Sequence, residues 1–235
     1  MRRQPLVLAV AQPPCTPYDL AANAAAHAAA VRSAGARVVV FPELSLTGYQ
    51  LDAPAITADD PRLTALVEAC AETGSLALAG APVRGEAGRS HIAMLAVDGG
   101  GATVAYRKLW LGTAEAERFT PGEAPAVLDV DGWRLGLAIC RDTGIPQHAA
   151  DTAALGIDVY AAGVLESAED AHVPAERARR IAADHRVRVA VASFAGPTGE
   201  GYTHTAGHSG IWTPTATPLT RTGPHPGTLT HATLT

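Results

Sequence analysis

Several features that mark particular classes of protein are missing from this sequence. No apolar run approaches the ~20 residues that a membrane helix needs. Acidic and basic residues are interspersed, with a net charge of −5 and no basic block of the kind that binds nucleic acid or an acidic membrane surface. The three cysteines, Cys15, Cys70 and Cys140, are irregularly spaced and form no CxxC pair. We therefore expect neither a disulfide framework nor a structural zinc site, and we expect free thiols in a reducing, cytoplasmic environment.

Motifs for other catalytic classes are also lacking. The sequence has no GxGxxG or Walker loop that would bind a nucleotide. The segment 207–211 (GHSGI) approaches the GxSxG motif of serine hydrolases but fails at its last position. Four histidines, His204, His208, His225 and His231, lie in a loop-rich region without the spacing of metal ligands. The sequence therefore predicts no bound metal and no nucleotide cofactor.

A substantial core is possible, because apolar residues make up 47% of the chain and charged residues only 17%. Strand patterns alternate with helical ones, and no linker or composition shift divides the chain. The start of the chain has an apolar stretch of only 6–11, too short for a signal peptide, so we expect a buried first strand there. The predicted strands are 6–11, 36–41, 75–82, 90–97, 103–108, 127–130, 134–140, 158–163, 187–192, 209–212 and 228–234. The predicted helices are 20–34, 61–73, 147–155 and 175–185. This pattern predicts an α/β fold in a single domain, 1–235.

Three polar residues each follow an apolar, β-prone run. Glu43 lies in 38–49 (VVVFPELSLTGY), Lys108 in 106–111 (YRKLWL) and Cys140 in 136–142 (GLAICRD). Taken singly, each has a simpler explanation, as a solvated loop carboxylate, a surface lysine and an inert buried thiol. Taken together they supply a base, a fixed cation and a nucleophile. This combination suits hydrolysis of a carbon–nitrogen bond through a covalent thioester.

The turn after Cys140 supports the role of nucleophile. Gly144 and Pro146 follow within six residues and lead into a predicted helix. A sharp strand–turn–helix connection exposes the side chain and directs backbone N–H groups towards it. Such a setting can hold an oxyanion, and Lys108 would add a positive charge beside it.

The three segments resemble the motifs of the nitrilase superfamily of carbon–nitrogen hydrolases, and in particular its amidase-like members. The resemblance runs from about Leu6 to Leu234 and includes 11–13 (AQP) and 207–211. It implies a catalytic triad of Glu43, Lys108 and Cys140. The family has a second glutamate after the lysine, and 115–122 (EAERFTPG) resembles that stretch, with Glu115 favoured over Glu117. The resemblance also implies that the backbone N–H of Arg141 completes the oxyanion hole.

The same resemblance implies a four-layer αββα sandwich that forms a homodimer or a higher homo-oligomer. It implies no metal and no organic cofactor, and a small amide and water as the reactants. Substrate-binding candidates are Tyr49, Trp110, Glu115 and Arg141. Trp110 and Arg141 depart from the commoner family pattern, which has histidine and tyrosine there, so the acyl group stays open. An inward Arg141 side chain would favour an acidic acyl group.

Alternative functions within the same chemistry are an N-carbamoyl amidohydrolase, a nitrilase and a transferase that passes the acyl group to an amine. The Cys-x-Asp sequence of 140–142 favours amide hydrolysis, since nitrilases more often have Cys-Trp-Glu. A different class is a catalytically idle member that binds a small molecule, which a broken triad would mark.

Overall fold

Two sheets carry the predicted site at the ends of their strands. The computed structural model describes residues 3–235, except for the side chain of residue 87. Strands and helices are numbered along the chain. The first sheet contains, in spatial order, β12 (Thr228–Leu234), β1 (Leu6–Gln12), β2 (Val38–Val40), β3 (Leu76–Arg84), β4 (Ser90–Asp98) and β5 (Gly101–Arg107). The second contains β11 (Pro218–Arg221), β10 (Gly210–Trp212), β9 (Arg188–Ser193), β8 (Val159–Val164), β7 (Trp133–Ile139) and β6 (Val127–Val130).

Helices cover the outer face of each sheet. The helices are α1 (Leu20–Ala34), α2 (Thr64–Thr73), α3 (Thr113–Ala116), α4 (Pro146–Ala154) and α5 (Val173–His185). One apolar cluster joins α1 and α2 to the first sheet, and another joins α4 and α5 to the second. A third cluster lies between the sheets. The predicted four-layer αββα sandwich is therefore confirmed. No helix among residues 3–235 is long and apolar enough to cross a membrane.

Strand direction brings the candidate residues to one end of the sandwich. Strands β1, β2 and β3 are parallel in the first sheet, as are β7, β8 and β9 in the second. Strand β4 runs antiparallel to both β3 and β5, so β5 points the same way as β3. The carboxyl ends of β2 and β5 therefore lie together in the first sheet. They face those of β7 and β8 in the second.

Local signals in the sequence account for most element boundaries. Helix α1 has the predicted bounds: Asp19 accepts a hydrogen bond from the N–H of Ala22, and Gly35 ends the helix in the left-handed conformation. The predicted helix 61–73 instead starts as a 3₁₀ turn, Pro61–Leu63, before α2 begins. The strand predicted at 36–41 is shorter in the structure and comprises only β2. The chain leaves the sheet at Pro42, which has no N–H to donate to a neighbouring strand.

Two elements were missed by the sequence analysis. Strand β11 is a four-residue edge strand that begins with Pro218 and is mostly exposed, so it has no apolar pattern. Helix α3 is a single turn, and the hydrogen bond from the N–H of Gly112 to the Glu115 carboxylate (2.6 Å) holds its start. Strand β11 thus lacks a local signal, and the single turn of α3 is too short to give a helical pattern in the sequence.

Candidate active site

Glu43 is held between the two sheets. It follows β2 by three residues and is 1% exposed. Gly80 on β3 and Gly163 on β8 allow this close packing. A Cβ atom at Gly80 would lie 2.4 Å from the Leu44 nitrogen, and one at Gly163 would lie 2.5 Å from the Phe41 carbonyl oxygen. The glutamate backbone is therefore fixed by direct contact with a strand of each sheet.

Lys108 lies next to Glu43 at the end of β5 and is also 1% exposed. Its Nζ donates to Oε1 of Glu43 at 2.6 Å and to both carboxylate oxygens of Glu115, at 2.7 and 2.8 Å. The ammonium group is thus bound by two buried carboxylates, which fix its position.

Glu115, on α3, is buried, whereas Glu117 is exposed. Besides Lys108, the Glu115 carboxylate accepts hydrogen bonds from the Tyr49 hydroxyl (2.7 Å) and from the N–H of Gly112. The structure therefore places the first of the two candidate glutamates, and not the second, beside Lys108.

Cys140 begins a 3₁₀ turn, Cys140–Gly144, directly after β7. Its φ is 41°, in the left-handed region that is costly for a residue with a side chain. The thiol is half-buried, and Sγ donates to the carbonyl oxygen of Leu165, which follows β8, at 3.2 Å. Because Ile139 is the N-cap of this turn, i→i+3 bonding starts with the N–H of Asp142, and the N–H of Arg141 has no acceptor within the turn.

The two carboxylates beside Lys108 differ in their pKa values. Burial raises the pKa of Glu43 to about 7, and the charge of Glu115 adds to the effect, although Lys108 opposes it. Burial alone would lower the pKa of Lys108, but the charges of Glu43, Cys140 and Glu115 raise it above its usual range. Burial alone would raise the pKa of Glu115, but Lys108 and the hydrogen bonds lower it. Glu115 is therefore the permanent counter-ion of Lys108, and Glu43 is the carboxylate that can exchange a proton near neutral pH.

The surroundings of Cys140 favour the thiol over the thiolate. Burial and the negative charge of Glu43 raise the pKa of Cys140 well above its usual range, more than the charge of Lys108 lowers it. Oε2 of Glu43 is buried and accepts no hydrogen bond from the described residues. The site thus combines a thiol that needs a base with a carboxylate oxygen that is free to accept its proton.

Asp142 links the segments that carry Lys108 and Cys140. Its Oδ2 accepts from the N–H of Ile139 (2.9 Å) and the hydroxyl of Tyr106 (2.7 Å), and its Oδ1 accepts from the N–H of Trp110 (2.9 Å). Tyr106 and Trp110 flank Lys108, while Ile139 precedes Cys140. One carboxylate therefore connects the segment that carries Lys108 with the turn that carries Cys140.

Behind Asp142 the hydrogen bonds continue through buried side chains. Tyr106 donates to Asp142, so its oxygen accepts from Nε2–H of His148 at 2.9 Å, and Nδ1 of His148 accepts from the hydroxyl of Tyr160 at 2.9 Å. Burial lowers the pKa of His148, which agrees with the neutral ring that this pattern requires.

The other predicted substrate-binding residues lie at different depths. The ring of Tyr49 is half-buried, while the side chains of Trp110 (43% exposed) and Arg141 face solvent. Tyr202, which the sequence analysis missed, packs edge-on against Tyr49 at 5.8 Å between ring centroids. The N–H of Tyr49 donates to Oγ1 of Thr198 in the same loop (2.9 Å). No local motif marks Tyr202, because only the fold brings its loop to the site.

Comparison with known proteins gives consistent matches. The model of the carbon–nitrogen hydrolase family matches residues 7–235. A hydrolase from Pseudomonas protegens is 30% identical over 161 residues, which cover 65% of this chain and 56% of that protein. A hydrolase from Mycobacterium tuberculosis is 30% identical over 144 residues, covering 57% of this chain and 51% of that protein. The chain spans about half the length of these curated relatives.

Solved structures of the nitrilase superfamily share the fold. A variant of the amidase from Nesterenkonia AN1 has a TM-score of 0.86 and 26% identity, covering 100% of this chain and 92% of that chain. Nit3 from Saccharomyces cerevisiae has a TM-score of 0.87 and 21% identity, covering 98% of this chain and 90% of that chain, and it is similar in fold. With a family match over nearly its whole length, the chain belongs to the carbon–nitrogen hydrolases of the nitrilase superfamily, a family of hydrolytic enzymes.

Proposed function

We propose that this protein is an amidase that hydrolyses a small carboxamide through a thioester on Cys140 and releases ammonia. The observation that carries the proposal is the position of Lys108: Nζ is held by Glu43 and Glu115 at 2.6–2.8 Å, in a buried site that also contains Cys140. An ammonium group fixed in this way is an electrostatic partner for a developing oxyanion, and it needs no rearrangement during the reaction.

In the first half-reaction, Glu43 accepts the thiol proton while Sγ of Cys140 attacks the carbonyl carbon. The carbonyl oxygen takes the negative charge, which Nζ of Lys108 and the N–H of Arg141 stabilise. The tetrahedral intermediate collapses, the carbon–nitrogen bond breaks, and Glu43 returns its proton to the departing nitrogen. Ammonia leaves and the acyl group stays on the sulfur.

In the second half-reaction, water replaces ammonia. Glu43 takes a proton from the water, whose oxygen attacks the thioester carbon. The same oxyanion contacts stabilise the second intermediate. Collapse breaks the carbon–sulfur bond, and the departing thiolate of Cys140 takes the proton from Glu43 to restore the thiol. Because Glu115 keeps its charge, Lys108 remains a cation through both steps.

Amides are favoured over nitriles and carbamoyl compounds by two observations. Asp142 gives the chain the Cys-x-Asp sequence of amidase-like members. In addition, one structure of the Nesterenkonia amidase, 26% identical to this chain, carries the acetamide moiety of fluoroacetamide on its active-site cysteine, and another is a complex with butyramide. These ligands are small, neutral amides, and they guide the choice of first substrates.

Intact-protein mass spectrometry after rapid acid quench tests the proposal directly. The wild type, Cys140→Ala and the matched control Cys15→Ala are mixed with a panel of amides, N-carbamoyl compounds and nitriles. We expect an added acyl mass on the wild type and Cys15→Ala but not on Cys140→Ala, together with ammonia release from amides. Turnover confined to N-carbamoyl compounds or nitriles would overturn the choice of substrate. Binding of amides without an adduct or ammonia would indicate an idle binding protein.

Two further proposals concern the setting of the enzyme. We propose a cytoplasmic location, which the free thiols of Cys15, Cys70 and Cys140 support. We also propose a homodimer or higher homo-oligomer on the basis of the family resemblance. Light scattering of the purified protein measures the oligomeric state, and a monomeric mass would overturn the second proposal.

A further inference from the structure

An ion pair that the proposed mechanism does not use lies near Cys140. The carbonyl of Leu165 accepts the hydrogen bond from Sγ of Cys140, and the next residue is Glu166. Oε1 of Glu166 accepts from a guanidinium nitrogen of Arg177, on α5, at 2.6 Å. The side chains are 20% and 28% exposed, respectively, so the pair is partly open to solvent.

Arg177 also contacts the turn that carries Cys140. A Cβ atom built at Gly144 would lie 3.3 Å from both Cζ and Nε of Arg177, so the guanidinium group packs on the backbone of this turn. The ion pair therefore connects the end of β8 with the nucleophile turn. Both charged residues thus belong to segments that lie against Cys140, because Glu166 follows Leu165 and Arg177 packs on Gly144.

Charged groups of both signs surround the sulfur. The carboxylates are Glu43, Glu115 and Glu166, and the nearby cations are Lys108 and Arg177, while a guanidinium nitrogen of Arg180 donates to the carbonyl oxygen of Thr143 in the same turn at 2.7 Å. The negative charge of Glu166 contributes to the raised pKa of Cys140, and Lys108 in turn opposes the rise that burial produces in the pKa of Glu166. These directions agree with the geometry, in which Glu166 directly follows the residue whose carbonyl oxygen accepts from Sγ. Arg141, the cation that could have attracted an acidic acyl group, faces solvent.

We propose that Glu166 is a specificity-determining residue that discriminates against anionic acyl groups, so that the substrates are carboxamides with a neutral or cationic acyl group. The inference rests on the proposed amidase function and narrows its substrate class. A substrate carboxylate beside Glu166 would place two like charges together in a partly desolvated site. Such repulsion is a common source of specificity.

Alkylation of Cys140 tests this charge selectivity without requiring a known substrate. In each reaction the thiolate sulfur forms a bond to the methylene carbon and iodide leaves, and the reagents differ in charge: iodoacetamide is neutral and iodoacetate is anionic. Peptide mass spectrometry gives the rate of Cys140 alkylation by each reagent. The rate with iodoacetamide is divided by the rate with iodoacetate, and this ratio is divided by the corresponding ratio for N-acetylcysteine. We expect this normalised preference for iodoacetamide to be roughly 10-fold or more in the wild type.

Variants of the two charges should shift the preference in opposite directions. Glu166→Gln leaves Arg177 unpaired, so the preference for iodoacetamide should fall at least ~5-fold. Arg177→Gln leaves Glu166 unpaired, so the preference should rise by a similar factor. The matched controls are Glu176→Gln and Arg179→Gln, which change exposed residues of the same helix and should leave the ratio unchanged. A wild-type ratio equal to that of N-acetylcysteine, or an unchanged ratio in Glu166→Gln, would overturn the inference.

A second measurement separates this inference from the proposed function. Ammonia release is measured with succinamate, which is anionic, with its neutral isostere 4-methylpentanamide, and with cationic 4-aminobutyramide. We expect kcat/KM for the neutral and cationic amides to exceed that for succinamate by roughly 10-fold or more. Equal or faster hydrolysis of succinamate would overturn the inference and leave the amidase function intact. Selective alkylation without ammonia release from any amide would overturn the function and leave the charge selectivity standing.

Discussion

Replacement of Asp142 by asparagine tests whether one carboxylate sets the geometry between Lys108 and Cys140. The carboxylate accepts three hydrogen bonds, from the N–H groups of Ile139 and Trp110 and from the hydroxyl of Tyr106. An asparagine side chain has a single acceptor oxygen, and its NH₂ group can only donate. In the better of its two orientations it keeps the bonds from Ile139 and Tyr106, while its NH₂ group faces the N–H of Trp110.

The expected cost follows from these contacts. Asp142 is fully buried, so the N–H of Trp110 would lose its partner without gaining water. The loss of a hydrogen bond to a charged acceptor, with a buried donor left unsatisfied, costs roughly 2–4 kcal/mol of unfolding free energy. For a chain of this size that corresponds to a fall in Tm of roughly 4–16 °C. Because Trp110 lies two residues from Lys108, the loss should also loosen the lysine segment against the turn that carries Cys140, since, of the three bonds, only that from Tyr106 would then join them.

A displacement of about 1 Å between catalytic groups can reduce the rate about 100-fold. We therefore expect Asp142→Asn to lower kcat by roughly that factor while KM changes little, because Asp142 acts through Lys108 and Cys140 rather than on the substrate. Tyr106→Phe removes one of the three bonds and should have a smaller effect in the same direction. Asp151→Asn, at an exposed position of α4, is the matched control.

The assay combines thermal unfolding with steady-state ammonia release well below the Tm of each variant. A variant that unfolds at a lower temperature but keeps the wild-type kcat would show that Asp142 stabilises the fold without positioning the catalytic groups. A rise in KM at constant kcat would likewise contradict the positioning role, since it would indicate a direct effect on substrate binding.

Three further predictions concern the catalytic groups. If Glu43 is the base, as proposed, its raised pKa of about 7 means that kcat/KM should be constant above that pH and fall about tenfold per unit below it; a rate that is constant from pH 5 to 8 would contradict this assignment. Lys108→Met should lower kcat roughly 100- to 1,000-fold, measured by ammonia release, and a loss of less than tenfold would argue against its oxyanion role. Gly163→Ala places a methyl group 2.5 Å from the carbonyl oxygen of Phe41, so both Tm and kcat should fall, whereas Gly223→Ala, which has open space around the added methyl, should change neither. An unchanged kcat in Gly163→Ala would show that the close packing does not hold Glu43 in place.

The site could be predicted from sequence wherever a local pattern carries the information. Glu43, Lys108 and Cys140 each follow an apolar run, and the fold brings the ends of those strands together as the resemblance implied. The assignment of Glu115 rather than Glu117 depended on a motif and agrees with the position of the buried carboxylate beside Lys108. Their catalytic roles stay predictions until they are measured.

Contacts between distant segments could not be predicted in the same way. Nothing adjacent to Gly80 or Gly163 shows that a glutamate backbone packs on them from another strand. His148 and Tyr160 resemble ordinary residues of a helix and a strand, and only the packed structure reveals that their side chains form a chain of hydrogen bonds to Asp142. Arg177 is one of several arginines in α5, and its pairing with Glu166 depends on how the helix lies across the second sheet.

The proposed reaction centre is divided between the two sheets. The distance between the sheets therefore affects the distance between the proposed catalytic groups. Glu43 and Lys108 belong to the first sheet, and Cys140 and Leu165 to the second. The layer between them includes small side chains such as Ala161, Ala190 and Ala192. A methyl group added to that layer would push the base away from the sulfur without touching either. Selection for turnover would therefore act on the volume of side chains that never meet the substrate, and repacking the interior is a way to tune the rate of this enzyme.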